Sequence, residues 1–272
     1  ADFSNNYAKS LSSGTIQGGA IYNSGSGTVN ITSNFSQNYV TSTSGTTQGG
    51  AIYNTSAYLN SVSGNFSNNY AQAQTTYGGA IYNNSTIKTI SGNFKNNYAL
   101  STGNNAYGGA IYNNSSISTA IQNAEFTGNY ADAESGTVQG GAIYNNNTIA
   151  GIINTSFYNN YVKTNTGTTA QGGAIFTTKN LTISANNGSS TFCGNYVLNS
   201  TGTKDYQAIY MNSSSLTLTL NATNNGSIIF DDYISGVNGY KVTLSGDSTG
   251  NIIFNSANSI QNATTTLSSG NL

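Results

Sequence analysis

The chain has 272 residues, of which 6% are charged and 36% apolar, and it contains no Arg, His, Trp or Pro. A typical globular domain is about 25% charged and about 45–50% apolar. Seven scattered Lys cannot form the basic stripe that phosphate backbones require, and neither a basic amphipathic face nor a run of about 18 apolar residues is present, so no nucleic acid and no membrane contact are expected in this region. Cys193 is the single cysteine and has no internal disulfide partner. No basic-then-apolar leader opens the chain, so any secretion signal is expected to lie outside it.

Low hydrophobicity with much Gly and Ser also fits disorder. A disordered chain, however, does not keep Ile, Phe and Tyr in register. A Phe-x-x-Asn-Tyr motif at Phe3 is followed by Gly18, Gly19, Ile21 and Asn23, then by Phe35 and Asn38. The series recurs as Gly49, Gly50, Ile52 and Asn54 with Phe66 and Asn69. It continues as Gly78, Gly79, Ile81 and Asn83 with Phe94 and Asn97, and as Gly108, Gly109, Ile111 and Asn113 with Phe126 and Asn129. Gly140, Gly141, Ile143 and Asn145 follow with Phe157 and Asn160, and Gly172, Gly173 and Ile175 with Phe192 and Asn195. The first glycines are 31, 29, 30, 32 and 32 residues apart. A catalytic site is needed once; a unit recurring at this interval is architecture.

Within the third unit, "AIYN", "TIKTIS" and "NFKNNYA" read as three short strands. The segments between each Tyr and the next Gly-Gly, such as "AKSLSSGTIQ", "AQAQTTY" and "ADAESGTVQ", read as loops that absorb the length changes. Nothing repeats at 3.6 residues, which excludes helices. The expected fold is all-β: a right-handed single-stranded parallel β-helix (solenoid), about 31 residues per coil including a variable loop. Equivalent residues then stack about 4.8 Å apart. The Ile and Phe series become internal ladders, and the Asn series are expected to turn corners in the left-handed region and hydrogen-bond along the axis. Gly-Gly would serve a corner needing positive φ and close approach of coils.

Residues 1–199 hold the regular coils, and 200–272 read as degenerate coils continuous with them and truncated. "YQAIYM" aligns with the first motif, with Tyr206 and Gln207 in place of the glycines, and "SLTLTL", "GSIIFDDYI", "YKVTLSG" and "GNIIFNSA" stay strand-like. The chain opens on a third-strand motif and reaches Leu272 without a clear polar cap, so either caps are missing or the chain is a fragment, and uncapped ends would allow self-association.

No catalytic, cofactor or metal site is expected. The carboxylates Asp2, Glu125, Asp132, Glu134, Asp205, Asp231, Asp232 and Asp247 are dispersed. Only Asp231 and Asp232 adjoin, and strand neighbours point to opposite faces, whereas a glycosidase needs paired carboxylates. An ice-binding rank of outward Thr is absent from the middle strands, where Lys88 interrupts. Tyr22, Tyr53, Tyr82, Tyr112 and Tyr144 are expected to stack on one another rather than to form a glycan-binding stripe. The variable segments are the better binding candidates, carrying Lys9, Asp132, Glu134, Lys163, Lys204 and Asp205.

The alternation of Gly-Gly-Ala-Ile with Phe-x-x-Asn over about residues 1–200 resembles the polymorphic membrane proteins of chlamydiae and related β-helix autotransporter passengers. The resemblance implies secretion across an outer membrane, an extracellular location at the bacterial cell surface, and adhesion to a protein or glycan on host or neighbouring cells. A passive stalk or self-associating surface protein is the alternative, and a carbohydrate-active β-helix enzyme a second. The alternating segments of a membrane barrel are not found here, so the autotransporter reading depends on sequence beyond this chain.

Overall fold

In the third unit, Ile87–Lys95 buries Ile87, Ile90 and Phe94 and turns Lys88, Asn93 and Lys95 to water. Such alternation makes a strand with one dry face. Ile81–Asn83 precedes it and Tyr98–Tyr107 follows, so one coil consists of three strands on three sheets. The computed structural model describes residues 1–56, 58–167 and 169–270, and every element in them is β. The reading of an uncapped end at Leu272 lies outside the described residues.

Each strand pairs in parallel with its equivalent in the next coil. Ile81 pairs with Ile111, Phe94 with Phe126 and Tyr98 with Tyr130. The fold is a parallel β-solenoid. Sheet 1 holds the Phe strands, sheet 2 the strands that start at the motif Tyr, and sheet 3 the Ile-Tyr-Asn strands. Phe rings stack through the centre 4.5–5.6 Å apart, from Phe3 to Phe254. Each buried Phe or Ile contributes roughly 1.5–3 kcal/mol. The Ile rank extends beyond the motifs to Ile209 and Ile234.

The segments read as loops are instead the strands of sheet 2. In Tyr98–Tyr107, Ala99, Ser101 and Ala106 point inward. Ala99 and Ala106 join Ala131, Ala133, Val138, Val162 and Val197 in a second, small-residue core. Short side chains fill the space beneath sheet 2, and their low hydrophobicity hid the strand in the sequence. Length changes are not confined to these segments either. From Gly-Gly to the next Phe the spacing runs 17, 17, 16, 18, 17 and 20 residues. Sheet 1 absorbs the extra residues in register shifts and in left-handed residues such as Asn123 and Asn154.

The corner conformations also differ from expectation. After each Phe the left-handed residue is not the motif Asn but the one before it: Gln37, Asn68, Asn96, Gly128, Asn159 and Gly194, with φ between 54° and 71°. That explains why Gly alternates with Asn there. At the Gly-Gly corner the two glycines have separate causes. Gly78 has φ 64°. Gly79 has no room for a Cβ, which would run into the backbone carbonyls of Gly109 and Tyr98.

After Tyr196–Leu198, sheet 2 ends in an antiparallel pairing with Lys204–Asp205. Sheets 1 and 3 run on through Gln207–Met211, Thr217–Thr223 and Tyr240–Gly246. A coil without a sheet 2 strand is shorter, and Phe230 and Phe254 are accordingly only 24 residues apart.

Candidate functional site on the outer face of sheet 2

Each sheet 2 strand begins with an outward Tyr, an inward small residue and a second outward residue. Stacking seven coils makes two external ranks. The first is Tyr7, Tyr39, Tyr70, Tyr98, Tyr130, Tyr161 and Tyr196, with centroids 4.8–5.1 Å apart and planes within 1–7°. The second runs Lys9, Thr41, Gln72, Leu100, Asp132, Lys163 and Leu198. The first rank escaped sequence analysis, although its signal, the Tyr of Phe-x-x-Asn-Tyr, is in every unit.

In most coils the strand then bends outward before resuming, at Leu11–Gly14, Thr43–Gly45 and Glu134–Gly136. The bends bond to the neighbouring coils. Ser135 N donates to Gly103 O at 3.2 Å, Thr166 N to Glu134 O at 2.9 Å, and Thr46 N to Gly14 O at 2.9 Å. They form a ridge rather than free loops. The third coil, Tyr70–Tyr77, runs straight and leaves a notch in it.

The six candidate residues do not make one cluster, and most lie on strands. Asp132 and Lys163 are consecutive in their rank and pair at 3.4 Å. Burial raises the Asp132 carboxyl above its ordinary range, and Lys163 offsets part of that. Glu134 accepts from Asn165 Nδ2 at 2.8 Å on the ridge. Lys9 is four coils from Asp132, about 19 Å at ~4.8 Å per coil. Lys204 and Asp205 sit in the antiparallel end of the sheet. Lys204 Nζ lies 4.3 Å from the centre of the Tyr196 ring and covers the last face of that stack. Asp205 accepts from the Tyr233 hydroxyl at 2.5 Å.

On sheet 3, Tyr22, Tyr53, Tyr82, Tyr112 and Tyr144 stack 4.8–5.2 Å apart. Tyr77 and Tyr107 press against the flanks of Tyr82 and Tyr112. Although they point out of the coil, Tyr53, Tyr82 and Tyr112 are buried. Burial and the neighbouring phenols push Tyr82 and Tyr107 up to about 12. Within both Tyr ranks the ring faces cover each other, while Tyr7 and Tyr22 at their first coil are exposed.

The motif Asn residues are internal. Asn69 Nδ2 donates to Asn97 Oδ1 and to Phe35 O, both at 2.9 Å, and its own Oδ1 accepts from Asn38 N and Nδ2. The same pattern repeats through Asn195. There Asp232 ends the rank, taking Gly194 N, Asn195 N and Asn195 Nδ2 at 2.8–2.9 Å. Asp231 points away and accepts from Asn255 at 2.6 Å. The adjoining carboxylates therefore serve different faces. The role of Asp232 was missed, though "FDDY" is one residue shorter than "FCGNY". Cys193 lies beside Asp231, which with burial pushes its thiol up to about 11 and keeps it protonated.

These coils have a counterpart among known proteins. Residues 1–24, 63–84 and 123–146 match the family model of the Chlamydia polymorphic membrane protein repeat. The chain carries that repeat. Each matched segment runs from sheet 1 through a sheet 2 strand to sheet 3, with one Phe-x-x-Asn corner and one Gly-Gly corner. The intervening coils at Phe35, Phe94 and Phe157 keep the same corners. Searches among curated proteins and among solved structures find no match to the chain.

Proposed function

We propose that this chain is part of a surface-displayed, adhesin-like passenger that meets a protein or glycan on another cell through the outer face of sheet 2. The observation that carries it is the ridge. Sheets 1 and 3 hold the coils in register, while sheet 2 carries bends at Leu11–Gly14, Thr43–Gly45 and Glu134–Gly136 that bond to neighbouring coils. A pre-ordered surface loses little entropy on binding. Repeats of the chlamydial membrane-protein type favour display at the cell surface. The dispersed carboxylates favour binding over catalysis.

The test is an exchange of outward side chains only. Asp132→Thr with Glu134→Thr copies Thr41 and Thr43 of the second coil and leaves the inward Ala131, Ala133 and Val138 untouched. Adhesion of the purified chain to host cells is expected to fall while its melting temperature changes little. Unchanged adhesion would move the contact off this part of the ridge. The stalk reading draws support from the stacked Tyr ranks, whose faces are already occupied. It gains if the intact chain binds no cell surface.

A further inference from the structure

The notch at the third coil is a groove of about 360 Å³, lined by Lys9, Ser10, Thr41, Thr43, Gln72 and Thr102 among others. It exists because "AQAQTTY" has seven residues where the adjacent segments have nine. Lys9 is exposed and makes no ion pair, since among the described residues the pair Lys163–Asp132 stands alone. The Thr41 Oγ1 is covered and has no partner, an arrangement that native structures rarely leave unexplained. Ser10 Oγ donates to Ser12 O, and Thr102 Oγ1 to Ala73 O of the neighbouring coil, each at 3.3 Å, so both stay open to a better acceptor. Neither a carboxylate nor an aromatic ring is among the lining residues.

We propose that this groove binds the carboxylate-bearing sugar of an acidic glycan, a sialic acid or a hexuronate. The inference rests on the adhesin reading and names its ligand. The Lys9 ammonium takes the carboxylate, and the Gln72 amide with the Thr43 hydroxyl takes sugar hydroxyls. Amides and hydroxyls both donate and accept, as a polyol does. The volume is at the small end of ligand sites, suited to one or two sugar rings. An acidic peptide fits less well. The strands beneath the groove are paired on both edges, so no strand can be added, and no apolar pocket is there to anchor a side chain.

The test uses the whole chain, 15N-labelled, titrated with glucuronic acid and with N-acetylneuraminic acid, with glucose as the neutral control. The amides of Lys9, Thr41, Thr43, Gln72 and Thr102 are expected to shift and saturate with at least one acid and not with glucose. Lys9→Gln is expected to weaken binding at least about tenfold, the worth of one charged hydrogen bond. Gln72→Glu keeps the size and adds a repelling charge, and it should abolish binding. Lys88→Gln, on sheet 1, should leave it unchanged. Equal shifts with glucose, shifts elsewhere, or none with either acid overturn the proposal, as does tighter binding of polyglutamate to the same amides. If the chain adheres to cells but neither acid moves these signals, this inference falls alone. If an acid saturates the groove while no cell surface is bound, the groove stands and the adhesin reading falls.

Discussion

Asp232 accepts the side-chain amide of Asn195 at 2.8 Å, and with that bond the internal Asn rank ends. Every Asn before it passes its Nδ2 toward the next coil, so the rank arrives at its last member as a row of aligned amide dipoles with the donor end leading. A carboxylate there accepts without having to donate onward. Asp232→Ala would leave Gly194 N and Asn195 N without acceptors and Asn195 Nδ2 with Phe157 O alone. At about 1–3 kcal/mol for each unsatisfied buried group, chemical denaturation should show a loss of at least about 2 kcal/mol. The exposed Asp231→Ala should cost less than about 1 kcal/mol. Equal small losses would show that the rank needs no acceptor at its end.

Phe94 lies 4.7 Å from Phe66 and 4.6 Å from Phe126, fully enclosed, while its neighbour Lys95 faces water. Phe94→Ala opens a gap in a stack that cannot shorten, because both flanking rings are fixed by their own coils. A loss of about 3–5 kcal/mol is expected, against less than about 0.5 kcal/mol for Lys95→Ala. Urea unfolding of the two variants side by side checks the register of sheet 1.

What the sequence disclosed and what it hid follow from how each position acts. Ile21, Phe35 and Asn38 repeat as single residue types because stacking puts each on its own copy, so the coil and its inward ranks were legible. Sheet 2 was not. Its inward positions need only be small, and Ala99, Ser101 and Ala106 look like a polar loop. The left-handed corner was assigned to Asn97 instead of Asn96 because Asn suits both places. One Asn was needed for its backbone freedom and the other for its amide. The groove depends on neighbouring coils differing in length by two residues, a relationship between units that no single unit displays.

Gly79 and Gly25 should respond oppositely to the same change. A Cβ on Gly79 collides with backbone of two strands, which cannot rotate aside, whereas one on Gly25 meets nothing. Gly79→Ala is therefore expected to cost about 1–3 kcal/mol or more. Gly25→Ala should be neutral or stabilise by about 0.4–1 kcal/mol by restricting the unfolded chain. Thermal melts of both variants decide it, and a tolerated Gly79→Ala would mean the coils are less tightly apposed at that corner.

Asp247 closes the turn after Tyr240–Gly246, accepting from Asn224 N, Thr249 N, Thr249 Oγ1 and Gly250 N at 2.8–2.9 Å. These donors, the Asn224 amide first, hold its carboxyl down to about 2. A depressed carboxyl stabilises the fold above its unfolded value, about 3.9, and that contribution is lost as pH falls toward 2. Carboxyl carbon shifts followed by NMR should place the Asp247 midpoint near 2, with loosening of the C-terminal coils over the same range. Asp247→Asn should remove that part of the acid sensitivity. An ordinary midpoint near 4 would show the turn bonds to be open in solution.

The phenol ranks give the stack an alkaline limit. Burial first, and adjacent phenols second, push Tyr82, Tyr107, Tyr130 and Tyr161 up to about 12. In an unfolded chain they would ionise near 10. A group whose folded value is raised stabilises the fold fully below its unfolded value, and that stability is lost as pH rises through the folded value. The loss should therefore begin near pH 10 and be complete near pH 12. Phenolate absorbance should show a late stage that coincides with loss of the β-sheet circular dichroism signal. Tyr107→Phe keeps the packing against Tyr112 and Tyr144 and removes one ionisable group, so the late stage should shift to higher pH. A single stage near pH 10 with the sheet signal intact would show that the Tyr rings are solvated one by one and that the ranks do not shield their hydroxyls.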